Sequence, residues 1–387
     1  MSEYQYFEFQ AIDRALTDSE MRELRRYSSR ATITPTSFVN VYNWGDFKGD
    51  PRAWLEKYFD AFLYVANWGT HRLEFNLPKR LLDPETVSAY CTEESLCCHT
   101  EGDSVILSFD SEDESGEYAE GEGWLVSLAP LRMDLMLGDH RCLYLGWLVA
   151  AQNGHFEDDG IEPPVPPGLG TLGSPLQALG EFLRIDQDWI AVAAEESGEA
   201  NASALTRDEI AGWIAQLPPE EKDTALVTLI DGSDVHCAVE FRQYAIREIR
   251  KARSTDGHDC LNRKRRSVAD LAARADAIAQ ARRAREAEIR ERAKAKRERE
   301  AAEARKKHIE SLVGKEDGLW AKIDALIATR QPRRYEEAVS LLQDLRDLAA
   351  MEIQGDAFSS RLEALCLKHA RKPALLARFR EADLVDG

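Results

Sequence analysis

The chain has 387 residues, 44% of them hydrophobic and 31% charged, with a formal net charge of −19 and seven cysteines. Residues 1–200 hold 36 acids and 14 bases, net −22, while 201–387 hold 33 acids and 36 bases, net +3; the two sum to −19. A chain of this length accommodates two or three domains with cores of their own, and an acidic front half argues against that half meeting phosphate backbones or anionic lipid.

No apolar run approaches the roughly 18 residues of a membrane helix; residues 142–151 are typical of the longest. The opening Met1-Ser2-Glu3-Tyr4 has neither a basic nor an apolar leader region, so the expected location is the cytoplasm. The odd number and irregular spacing of Cys91, Cys97, Cys98, Cys142, Cys237, Cys260 and Cys366 fit reduced thiols better than a disulfide framework.

In chain order, residues 4–12 alternate aromatic or apolar with polar positions and predict an opening strand. Thr17-Asp18-Ser19-Glu20 is a capping box before a helix carrying Met21, Leu24 and Tyr27. Residues 32–42 are rich in β-branched side chains and predict one strand, with Pro35 placing it at an edge or bulge. Residues 45–51 form a turn, and Pro51 opens an amphipathic helix with Trp54, Tyr58, Phe62 and Val65 at helical spacing. Alternation at 71–77, a short helix from Asp83-Pro84-Glu85, an apolar strand at 104–109 and helices at 129–137 and 139–152 complete an α+β domain over 1–155.

Residues 156–173, with Pro163-Pro164-Val165-Pro166-Pro167, predict a Pro-rich linker. A small helical domain is expected over 174–252. Its signals are Ser174-Pro175, a cap at Asp186, a capping box at Thr206 to Glu209, and Pro218-Pro219 and Gly232 bracketing one helix.

The segment 253–313 is basic and then strongly helical. From Ser267 to Val313 it has no Pro or Gly and is dominated by Ala, Arg, Lys and Glu, so a continuous helix about 70 Å long is predicted. Leu271 and Ile278 are followed at heptad spacing by Arg285, Arg292 and Arg299, so the coiled-coil seam fails. Glu286 with Arg290, Glu288 with Arg292, and Glu303 with Lys307 are Glu-before-base pairs that support a solvated single helix. Weak helix pairing and nucleic-acid binding are the alternatives. The second rests on Arg263, Lys264, Arg265 and Arg266 and on 17 bases against 9 acids over 263–310, but no aromatic residue is interleaved to stack on bases.

Residues 314–387 predict a C-terminal helical hairpin, with Trp320, Ile323 and Leu326 facing Tyr335, Ala338, Leu341, Leu342 and Leu345. A third helix carries Phe358, Leu362 and Leu365, and Pro373 opens a short last one. The run from Arg334 to Leu342 resembles a tetratricopeptide-type helix, over about one unit. The wider tail 335–384, with His369-Ala370-Arg371-Lys372-Pro373, resembles the C-terminal segment of certain bacterial SWIM-type zinc-finger proteins. The zinc finger is absent here, so that resemblance implies no metal or DNA function. Residues 4–16 and Asn43-Trp44-Gly45-Asp46 through Pro51 resemble a bacterial family without an assigned activity and imply none.

Candidate sites are few. Cys91, Cys97, Cys98 and His99 are the nearest approach to a metal cluster, but adjacent Cys97 and Cys98 lack a knuckle spacing. His258 with Cys260, and Cys366 with His369, are half-sites. The acidic run 110–123 follows part of a calcium-loop pattern, with Ser111 where an Asp belongs and a strand instead of a helix before it. His71, Arg72 and His140 are the candidate acid–base groups, unaccompanied by a nucleophile elbow, a phosphate-cradling glycine loop or a carboxylate pair. Trp44, Trp54, Trp68 and Trp124 read as core or interface residues. The sequence thus implies no cofactor and no metal. The expected function is a non-catalytic adaptor or assembly subunit of a bacterial cytoplasmic complex, binding protein partners or itself through the long helix and the C-terminal helices, with Trp320 and Tyr335 as contacts. An enzyme sited in the α+β domain, or a nucleic-acid-associated protein using 263–310, are the alternatives.

Overall fold

A computed structural model describes residues 3–112, 120–157, 159–199, 205–254 and 265–385. It has an antiparallel seven-stranded sheet with helices toward the N-terminus, followed by an all-helical region with a long helix and C-terminal helices. Two compact units divide the chain, residues 1–281 and residues 282–387.

In the first unit the strands are β1 (Gln5–Gln10), β2 (Thr32–Thr34), β3 (Ser37–Tyr42), β4 (Ala61–Ala66), β5 (His71–Pro78), β6 (Leu96–Glu101) and β7 (Ser104–Ser111), ordered β2-β3-β1-β4-β5-β7-β6. Side chains alternate between the two faces. One face buries Phe7, Phe9, Phe38 and Phe62 under α1 (Asp18–Arg25) and α2 (Pro51–Lys57), where Trp54 and Phe59 close an aromatic cluster. The other buries Leu63, Val65, Leu73, Phe75, Leu107 and Phe109 in the main core.

Helices cover that second face: α3 (Pro84–Ser88), α4 (Trp124–Leu128), α5 (Pro130–Met136), α6 (Arg141–Gln152), α7 (Ser174–Phe182) and α8 (Gln187–Glu195). The nearly continuous apolar run of α6 is buried as its composition predicts, and Gly146 lets it sit close, since a Cβ there would lie 3.0 Å from Phe109 and 3.2 Å from Leu96. Leu169, Leu176, Leu179 and Phe182 belong to the same core as the sheet, so residues expected as linker and separate helical domain share its hydrophobic interior. Further along are α9 (Arg207–Gln216), α10 (Pro219–Asp231) and α11 (Cys237–Ser254).

Local signals govern several boundaries. The capping boxes at Thr17/Glu20 and Thr206/Glu209 are both formed, Asp186 caps α8, and Gly232 ends α10 at φ 65°. Two expectations are corrected. Residues 32–42 are two strands, because Pro35 sits in the turn between β2 and β3, where its carbonyl accepts from Leu16 N–H at 2.7 Å. The helix expected from Pro51 to Val65 stops at Lys57, and residues 61–66 are the central strand β4; buried on both faces, this strand shows no polar alternation to distinguish it from a helix.

The long helix α12 runs Val268–Glu310. Ser267 Oγ accepts from Asp270 N–H at 3.1 Å and Asp270 accepts from Ser267 N–H at 3.2 Å, a reciprocal cap. Val268, Leu271 and Ala275, on one helical face, enter the main core, and every residue over 280–308 is exposed. Of the expected pairs, Glu288 meets Arg292 at 2.6 Å, whereas Glu286 meets Arg282 and Glu303 meets Arg299.

In the second unit α13 (Glu316–Ala328), α14 (Pro332–Met351), α15 (Gly355–Lys368) and α16 (Pro373–Glu381) enclose a core of Ile323, Ile327, Ala338, Leu342, Leu345, Leu375 and Phe379. Arg305 and His308 of α12 join it through Asp344 and Asp347 of α14.

Candidate functional site

The aromatic cover of the first sheet face reaches over β2, β3, β1 and β4. Beyond it, the same face of β5, β7 and β6 carries polar residues: Arg72 and Glu74, Ser108 and Asp110, and Cys97. Arg72 Nε donates to Asp110 Oδ1 at 2.5 Å and lies 4.0 Å from Glu74, and the Ser108 hydroxyl donates to Asp110 at 2.6 Å. Glu74 is buried and its Oε2 has no hydrogen-bond partner. Burial pushes the Glu74 carboxyl up to about 7, a rise that Asp110 assists and Arg72 opposes.

Arg72 stands between two hollows. One, about 630 Å³, has Phe47, Tyr64 and Trp68 on its walls; the other, about 350 Å³, is lined by Ser95, Cys97, Asp110, Asn153 and His155. The groups in the second are committed to neighbours. Cys97 donates to the carbonyls of Thr92 and Glu93 at 3.6 Å, burial raises its thiol pKa, and His155 is held 3.0 Å from Glu94. The cluster can therefore bind a polar group and exchange a proton at Glu74, but it presents no activated nucleophile.

Of the three candidate acid–base residues, only Arg72 is in this cluster. His71 is its neighbour in sequence and so faces the opposite side of the sheet, stacked on Phe182 at 4.8 Å. Its Nδ1 donates to Phe182 O at 2.7 Å and its Nε2 accepts from Arg184 at 3.0 Å. His140 precedes α6 beside Tyr90, and burial lowers its pKa. Glu74, Ser108 and Asp110 do not stand out as a site in the sequence, because Glu74 occupies a polar position in the 71–77 alternation, where a solvent-facing residue is expected.

Arg263, Lys264, His258 and Cys260 lie outside the described residues, as do 113–119 of the acidic run. Arg265 is exposed. Arg266 donates to Glu162 at 2.9 and 2.7 Å and to Val192 O at 2.8 Å, an arrangement that also engages Tyr144 through Glu162 at 2.5 Å. Tyr335 is buried in the C-terminal core, while Trp320 is half-buried against Phe358 with Arg361 over its ring. Trp54 is core, Trp124 packs on Phe182, and Trp44 and Trp68 are exposed. Cys97 and Cys98 project from opposite faces of β6 and cannot converge on one ion. His369 pairs with Asp324 at 3.1 Å. Among the described residues no three His, Cys, Asp or Glu side chains gather as metal ligands, and no helix is long and apolar enough to cross a membrane.

A second kind of surface lies on α10. Leu226, Val227, Leu229 and Ile230 are exposed by 56, 60, 47 and 84%, and their spacing makes them neighbours on one side of the helix. The other side of α10 borders a hollow of about 900 Å³ shared with α11, lined by Glu220, Thr224, Glu240, Phe241 and Tyr244. Comparison with protein families, with curated proteins and with solved structures finds no match for this chain.

Proposed function

We propose that this chain is a non-catalytic adaptor or assembly subunit of a bacterial cytoplasmic complex, engaging protein partners through α10, the exposed part of α12 and the C-terminal helices. The observation that carries the reading is the α10 face, where four large aliphatic side chains stand together in water. Contiguous apolar surface of that kind marks interaction sites more often than it decorates a monomer. Ile353 and Leu367 add exposed apolar groups in the second unit. Free thiols at the described cysteines suit a reducing compartment. A photo-crosslinking amino acid at Val227, in cells that express the chain, is expected to capture a protein at that position. Adducts no more abundant than those from a crosslinker at exposed, charged Lys294 would overturn the reading.

A second reading, an enzyme in the first unit, is favoured by Glu74, whose unpartnered buried oxygen and carboxyl pKa of about 7 suit proton exchange. Nucleic-acid association is favoured less, because Arg266 is spent on Glu162 and intrahelical ion pairs engage Arg282, Arg292, Lys294, Lys296 and Arg299 of α12.

A further inference from the structure

The hollow of about 630 Å³ beside Arg72 has a floor set by strand register. Phe7 of β1 faces Tyr64 of β4, Tyr64 faces Arg72 of β5, and Arg72 faces Asp110 of β7, one row of side chains across the sheet. The loop over 45–51 forms the wall. Phe47 stacks on Phe7 at 5.0 Å between ring centroids, and Gly49 makes room for it, since a Cβ there would lie 2.8 Å from the Phe47 ring and 2.9 Å from Trp54. Gln5 ties wall to floor: its Nε2 donates to Gly45 O at 2.9 Å and its Oε1 accepts from the Tyr64 hydroxyl at 3.1 Å. Trp68, half exposed in the turn between β4 and β5, closes the rim.

We propose that this hollow binds a small quaternary ammonium compound, its cationic head among the Phe47, Tyr64 and Trp68 rings and facing Asp46 and Glu3. The charged residues of the lining are Glu3, Asp46 and Arg72. Arg72 is offset by Asp110 at 2.5 Å, whereas neither Glu3 nor Asp46 joins a salt bridge among the described residues, so the balance inside is negative. Ring faces are negative as well, and aromatic walls backed by carboxylates attract a cation that has shed its water. No protein cation among the described residues lies over these three rings. The neutral oxygens beside them, Gln5 Oε1 and Gly45 O, are already engaged, so a head that carries charge without N–H donors suits the site better than a primary ammonium. A volume of about 630 Å³ lies within the usual range of small-molecule sites.

The test is calorimetric titration of the full-length protein, at constant ionic strength, with choline and with its neutral isostere 3,3-dimethylbutan-1-ol. Choline is expected to bind with a Kd below about 1 mM, and the isostere at least about tenfold more weakly, because only choline carries the charge. Asp46→Asn and Trp68→Ala, each verified as folded by circular dichroism, are expected to weaken choline binding by about fivefold or more. Arg72→Gln should bind choline at least as tightly as wild type, since Arg72 contributes repulsion and no attraction to a cation. The proposal is overturned if choline gives no binding at about 10 mM, or if the isostere binds equally well. It is overturned too if Asp46→Asn and Trp68→Ala bind choline as wild type does, or if Arg72→Gln, still folded, loses choline binding.

Discussion

Glu74 lies between Phe62 of β4 and Ser108 of β7 in the sheet ladder, and burial sets its behaviour. A carboxyl raised from 4.5 to about 7 binds its proton more tightly folded than unfolded. Stability is therefore present below the unfolded pKa and lost as pH rises through the window between these values. Between pH 4.5 and 8, wild type should lose roughly 2–3 kcal/mol more than Glu74→Gln, read from urea denaturation at each pH. Equal pH profiles would refute the assignment. Arg132, also buried, donates to both oxygens of Asp13 at 2.8 and 2.6 Å and lies 3.4 Å from Asp60, while His236 meets Asp13 at 3.0 Å. Removing one partner strands buried charge, so Arg132→Ala should cost about 3–5 kcal/mol in denaturant unfolding. Neither role is legible in the sequence. Arg72 stands out there because it is charged in a strand, but its partner Asp110 is distant along the chain and meets it only through strand register.

The elements are more legible than the contacts. Capping boxes and Gly232 declare helix ends through chemistry confined to four or five residues, and the composition of α12 leaves no alternative to a helix. By contrast, β4 reads as helix because a strand buried on both faces lacks the period of two, and aromatic residues four apart imitate a helical stripe. Long-range packing is hidden for the same reason: Val268, Leu271 and Ala275 look like ordinary positions in an alanine-rich run until the core claims them. The two regions of α12 should respond differently. Leu271→Ala should destabilise the fold by about 2–5 kcal/mol, while Ile289→Ala should change it by less than about 0.5 kcal/mol, because Leu271 is fully buried and Ile289 is two-thirds exposed. Comparable losses at both sites would mean that the exposed span is packed against something.

At the scale of the whole molecule, the chain separates its chemistry along its length. Net charge changes from −22 over residues 1–200 to +8 over 263–310, the difference between 17 bases and 9 acids. Its polar cluster at Arg72 and its apolar face on α10 are different surfaces of the first unit. A binding protein should depend on the second and a catalyst on the first, so variants of each separate the two readings whatever the partner is. The most direct measurement is quantitative affinity capture with the full-length chain from cells that express it, comparing wild type, Leu226→Lys combined with Ile230→Lys, and Glu74→Gln, with circular dichroism to verify folding. The account predicts that Glu74→Gln captures the same proteins as wild type and that the α10 variant, equally folded, loses at least tenfold. Undiminished capture by the α10 variant, or selective loss in Glu74→Gln, would contradict it.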